Sequence, residues 1–95
     1  MTQENAQKTS WFVYMLQTAK GLIYTGISTD PDRRLREHEG GGRGARSLRG
    51  KGPLSLVWQC EVPDRASASV LEARIKRLQR TKKLELVKYG TLPGL

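Results

Sequence analysis

Cysteine is nearly missing from this sequence, and its scarcity excludes two architectures at once. Cys60 stands alone among 95 residues, so no internal disulfide can form and no cysteine-based zinc site can be assembled. Within the apolar segment LSLVWQCEV it reads as a small buried hydrophobe. Long apolar runs are missing too: no stretch approaches the roughly 18 residues that a membrane-spanning helix needs. The opening MTQENAQKTS is polar and has no apolar core of the secretory kind. The expectation is a cytoplasmic protein with no membrane partner. A chain of 95 residues suits one domain with an economical core.

Acidic side chains are scarce in one half only. Residues 1–42 carry five basic and five acidic side chains, whereas residues 43–95 carry twelve basic and four acidic ones, so the second half accounts for the whole net charge of +8. Such asymmetry points to one face for a polyanion. No segment pairs a bulky aromatic face with a basic one, which argues against a membrane-surface helix. Aromatic residues are few, and Trp11 and Trp58 both fall inside expected strands, so no row of stacking platforms is offered to unpaired bases.

What is present has a clear order. Residues 1–9 read as a disordered tail. WFVYMLQT (11–18) and GLIYTGI (21–27) read as an antiparallel hairpin around a tight turn at Gly21. A helix is expected from about residue 30 to 39, with Asp30 as N-cap and Pro31 at the first helical position. The segment GGGRGARSLRGKGP then forms a long glycine-rich basic loop. LSLVWQCEV (54–62) is a third strand. Asp64 caps a helix whose apolar positions Ala68, Leu71, Ile75 and Leu78 face the sheet. A short helix over 81–89 follows, and 91–95 is a terminal tail. The order β-β-α-β-α-α predicts an α+β domain over residues 10–90, with a three-stranded antiparallel sheet flanked by helices.

Four positions stand out against this frame. Tyr14 and Tyr24 lie one on each hairpin strand, and a suitable register puts both on one face. Arg34 shares one side of the first helix with His38, four residues on. Glu72 lies one step beyond Leu71, at the edge of the apolar stripe. Singly, each has an ordinary explanation: cross-strand packing for the tyrosines, a solvated face or an ion-pair partner for Arg34, a helix-end cap for His38, an ion pair with Lys76 for Glu72.

Together they resemble the GIY-YIG nuclease superfamily. VYM at 13–15, YTG at 24–26, Arg34 ten residues later and Glu72 on a following helix carry the likeness, which extends over residues 11 to about 90. It is greatest to small stand-alone bacterial members, through YTGISTDPDRRLREH, GARSLRGKGPLSLVW and LEARIKRLQRTKK. The resemblance implies that Tyr14 and Tyr24 line an active site and that one helps deprotonate the attacking water. It implies that Arg34 holds the scissile phosphate, that His38 lies near it, and that Glu72 binds one Mg2+ or Mn2+. Gly26 matches the motif glycine. Departures are Val13 and Met15 around the first tyrosine and Thr25 after the second. Ile27 stands where some DNA-repair members place a lysine.

The implied activity is metal-dependent hydrolysis of DNA phosphodiester bonds, with weak sequence preference and a leaning toward single-stranded or branched DNA. Arg43, Arg46, Arg49 and Lys51 on the loop, with Lys76, Arg77 and Arg80 on the later helices, are the expected phosphate contacts. A domain this small leaves a place for a protein partner that supplies specificity. The alternative is a module of the same fold that binds nucleic acid without cutting it.

Overall fold

A computed structural model describes residues 10–40, 48 and 50–95. Three strands and three helices lie among the described residues, in the order expected: β1 (Trp11–Gln17), β2 (Ile23–Ser28), α1 (Pro31–Gly40), β3 (Ser55–Val62), α2 (Arg65–Lys76) and α3 (Arg80–Tyr89). The expected tail at 1–9 lies outside the described residues, as do residues 41–47 and 49 of the basic loop. No described helix is long and apolar enough to cross a membrane.

The sheet is antiparallel in the order β2-β1-β3. Central β1 is paired along both edges and covered on both faces, and its alternation sorts side chains into two cores. Val13 and Met15 point to one side and pack with Ala68, Ile75 and Leu86 of α2 and α3, all fully buried. Tyr14 and Leu16 point to the other, with Leu48, Leu54 and the half-buried Tyr24, Leu35 and Leu56. Truncating a filled position such as Ile75 to alanine costs about 2–5 kcal/mol in cores of this kind. Trp58 packs against the first core and its indole N–H donates to the Gly90 carbonyl at 3.1 Å. Trp11 packs there as well, under the Arg65 guanidinium at 5.7 Å. Neither is a bare platform.

Local chemistry sets the element boundaries. The Asp30 carboxylate accepts from Arg33 N–H at 3.1 Å, capping α1, and Asp64 accepts from Ser67 N–H at 2.7 Å, capping α2. Gly90, at φ +83°, closes α3 by donating to the Leu86 carbonyl at 2.8 Å. The hairpin turn is wider than expected, so β2 begins at Ile23. Thr18 causes this: its N–H donates to the Leu22 carbonyl and its hydroxyl accepts from Leu22 N–H. Leu78 and Cys60 are only partly buried, short of the depth their apolar surroundings suggest. Leu92 and Leu95 pack against the first core.

Candidate active site

Register brings the two tyrosines together. Tyr14 pairs with Gly26 and Leu16 pairs with Tyr24, so the tyrosines sit diagonally on one sheet face with ring centroids 6.4 Å apart. Gly26 makes room for them. A Cβ there would lie 2.7 Å from the Tyr14 hydroxyl and 3.1 Å from Tyr24 Cε2, closer than packed atoms tolerate. The tyrosine rings themselves make the close approach at this glycine.

Helix α1 lies over the same face and delivers two more groups. His38, 2% exposed, places Nε2 at 3.1 Å from the Tyr14 hydroxyl. Its ring is 5.3 Å from that of Tyr24, edge to face. Arg34, one turn earlier, comes within hydrogen-bonding reach of the Tyr14 hydroxyl. Its Nη1 donates to Glu37 Oε1 at 2.6 Å. Arg33 Nε lies 3.8 Å from the other oxygen of Glu37. Glu37 thus steadies the guanidinium, a role the sequence reading assigned to no residue, although the i,i+3 spacing from Arg34 was its signal.

Glu72 comes from the opposite layer. Helix α2 packs mainly on β2 and β1, with β2 the outer strand on that side. Leu71 goes into the core, while the Glu72 side chain, 22% exposed, engages Lys76 Nζ at 3.2 Å. Its charge is close enough to act on Tyr14.

The electrostatics follow from burial. Burial pushes the Tyr14 phenol up to about 12; the Tyr24 phenol and Glu72 add to the rise, and Arg34 opposes it through a hydrogen bond and its charge. The easing of ionisation by Arg34 is therefore outweighed by desolvation. Burial also holds His38 below its usual range, helped by Arg34 and opposed by Glu37. The Arg34 guanidinium is raised, chiefly by its bond to Glu37.

The donor set constrains any metal. Among the described residues no three His, Cys, Asp or Glu side chains cluster as ligands, which disfavours a closed zinc-type cage. A lone, partly exposed carboxylate whose charge acts on Tyr14 fits a hard cation that keeps most of its waters, as Mg2+ and Mn2+ do. Lys76, its side chain 55% exposed, can swing into solvent and release Glu72.

A cluster of two tyrosines, an arginine and a histidine, with a carboxylate on α2 whose charge acts on Tyr14, on a β-β-α-β-α-α frame can be set beside known proteins. The profile of the GIY-YIG catalytic domain matches residues 10–85. The chain belongs to the GIY-YIG family. Within this nuclease superfamily its relatives carry the name UPF0213. One from Aeromonas hydrophila is 54% identical over 77 residues, covering 81% of this chain and 56% of that protein. One from Yersinia pestis is 52% identical over 77 residues, covering 81% of this chain and 80% of that protein. The chain therefore spans little more than half the length of the Aeromonas relative. The solution NMR structure of a UPF0213 protein from Bacillus halodurans is similar, with a TM-score of 0.56 at 39% identity over 88% of each chain. A solution NMR structure of an E. faecalis protein gives 0.59 at 33% identity over 86% of each.

The phosphate contacts expected of this GIY-YIG domain are only partly placed. Arg43, Arg46 and Arg49 lie outside the described residues. Lys51 stands beside the hairpin turn, and its carbonyl accepts from Ala19 N–H at 3.2 Å. Arg77 is exposed at the C-cap of α2. Arg80 is exposed at the start of α3 and reaches the turn, its Nη2 lying 3.6 Å from where a Cβ on Gly21 would sit. Lys76 is tied to Glu72.

Proposed function

We propose that this GIY-YIG domain is a metal-dependent DNA endonuclease whose site consists of Tyr14, Tyr24, Arg34, His38 and Glu72. The observation that carries the proposal is the meeting of Arg34 and His38 at the hydroxyl of Tyr14, with Nε2 at 3.1 Å. A helix and a strand far apart in the chain have to be aligned to bring these groups to one oxygen.

The roles follow from the chemistry of the side chains. Arg34 has five N–H donors, so it can keep Glu37 and Tyr14 while forking onto a phosphate and stabilising the charge that builds during attack. Glu72 would hold the Mg2+ or Mn2+, which when bound supplies neutralisation of a phosphate oxygen and of the leaving group. Tyr14 does not work as a standing phenolate. With its phenol near 12, only about 10⁻⁵ of it is ionised at pH 7. It works as a relay instead. The attacking water gives its proton to the phenol oxygen while the phenol proton passes to His38 Nε2. A neutral His38, kept so by burial, is able to accept it. General-base assistance of this kind is worth roughly 10²–10⁴-fold in rate. Ile27 occupies the position where some family members carry a lysine, so no base is borrowed from there.

Cutting should depend little on sequence, because the cations available here address phosphates rather than base edges. The test is incubation of purified protein with single-stranded, duplex, flap and junction DNA, with Mn2+ or with EDTA. Metal-dependent nicking of at least one substrate is expected; none on any substrate contradicts the proposal.

One observation favours a second reading, a module that binds DNA without turnover: the Glu72 carboxylate already has a partner in Lys76 at 3.2 Å. That reading predicts DNA binding indifferent to EDTA and to Glu72→Ala, without cleavage.

A further inference from the structure

The hairpin turn carries an exposed leucine and a cleft that the site chemistry does not use. Leu22 is 52% exposed, at a turn held open by Thr18 and braced to the segment at 48–51. Ala19 N–H donates to the Lys51 carbonyl, and Lys51 N–H to the Leu48 carbonyl. Between these walls run two adjoining depressions that share Thr18, Leu22 and Lys51. The larger, about 450 Å³, includes Lys20. The smaller, about 200 Å³, is lined also by Ile23, Tyr24 and Leu48. Tyr24 is the ring that packs edge to face on His38. The cleft therefore opens directly beside the candidate active site.

Its chemistry is two-sided. The smaller depression is lined by Leu22, Ile23, Tyr24 and Leu48 together with Thr18 and Lys51. The larger adds Lys20, and Arg80 lies against the same turn. No acidic side chain lines either depression, and among the described residues none of these three cations is in an ion pair. Apolar side chains that take a flat ring, beside cations that take phosphate, are the pattern of a nucleotide subsite. The smaller depression is too small for a base pair, so its occupant has to be splayed from the stack.

We infer that this cleft holds one unpaired nucleotide next to the phosphate being cut, with its base against Leu22, Leu48 and Tyr24 and its flanking phosphates on Lys20, Lys51 and Arg80. The substrate strand is accordingly unpaired at the cut. This deepens the nuclease reading and rests on it for the word "cut", but binding alone can test the subsite.

The experiment uses the full chain in EDTA and a forked DNA whose duplex junction fixes the register, with 2-aminopurine at successive positions of one unpaired arm. Binding should alter the fluorescence most at one position, and Leu22→Ala should remove that signal. Lys20→Glu with Lys51→Glu should weaken single-strand binding at least about tenfold and lower its salt slope by about one for each lost cation. Duplex binding should change less. Circular dichroism confirms that each variant is folded, and Leu22→Ser serves if Leu22→Ala is not. Loss of the position-specific signal together with single-strand preference supports the subsite, even if the protein never cuts DNA. Cleavage of DNA by variants whose single-strand to duplex binding ratio matches the parent overturns the subsite and leaves the nuclease reading intact.

Discussion

Gly26 and Tyr14 face each other across β1 and β2, and the tyrosine hydroxyl occupies the space a side chain on residue 26 would need. Gly26→Ala puts a methyl 2.7 Å from that hydroxyl, so the Tyr14 ring has to move. Overpacking of this kind costs about 1–3 kcal/mol. A displacement near 1 Å costs on the order of 100-fold in rate. Denaturant unfolding and cleavage rates of the alanine variant check both expectations. A rate within twofold of the parent would show that Tyr14 tolerates displacement.

Glu37 is a positioning residue for Arg34, held at 2.6 Å. Glu37→Gln should alter stability by no more than about 0.5 kcal/mol, the scale of an ion pair within a helix. It should lower kcat about tenfold by loosening the guanidinium, with KM nearly unchanged. If stability falls while kcat holds, Glu37 only staples the helix.

His38 gives the protein a pH dependence of definite sign. Its imidazole resists protonation in the folded state, whereas in the unfolded chain it protonates near the ordinary 6.5. Unfolding takes up a proton below that pH. The stability His38 contributes is whole above about 6.5 and is lost as pH falls through its lower folded value, by at most about 1.4 kcal/mol per pH unit. The parent should lose more stability than His38→Gln between pH 7.5 and 5.5, measured by urea midpoints. Cleavage by the parent should also fall on the acid side of 6.5. Equal losses in the two proteins would remove His38 as the titrating group.

Asp64 serves the fold rather than the chemistry. Its carboxylate caps α2 through Ser67 N–H, which holds its own ionisation below the usual carboxylate range. Asp64→Ala should lower Tm, because Ser67 N–H loses the side chain that caps it. Cleavage by the folded protein should stay within about twofold. A larger loss would mean that the start of α2 sets the position of Glu72.

Much of this architecture was legible in the residues because local and long-range signals agree. Alternation in WFVYMLQ, the Asp30 and Asp64 caps and the 3.6-residue stripe Ala68–Leu71–Ile75 each correspond to an observed element. That Tyr14 and Tyr24 share one sheet face could be anticipated from their spacing around a hairpin. The depth of Tyr14 could not, because it depends on α1, Leu48 and Leu54 closing over that face of the sheet, contacts made from distant parts of the chain. That depth raises the phenol and turns Tyr14 from a candidate base into a relay. Glu37 was overlooked because an acid three residues from an arginine on a helix is ordinarily a solvated pair. The cleft at the turn escaped notice because it joins Leu22 to Lys51, residues far apart in the chain.

The most direct test of the whole account is single-turnover cleavage in Mn2+ by the parent, Arg34→Ala and Glu72→Ala, with DNA affinity measured in parallel. Both variants should bind DNA within about tenfold of the parent and cleave at least about 100-fold more slowly. Variants that cut as fast as the parent would place the chemistry elsewhere, or in another protein altogether.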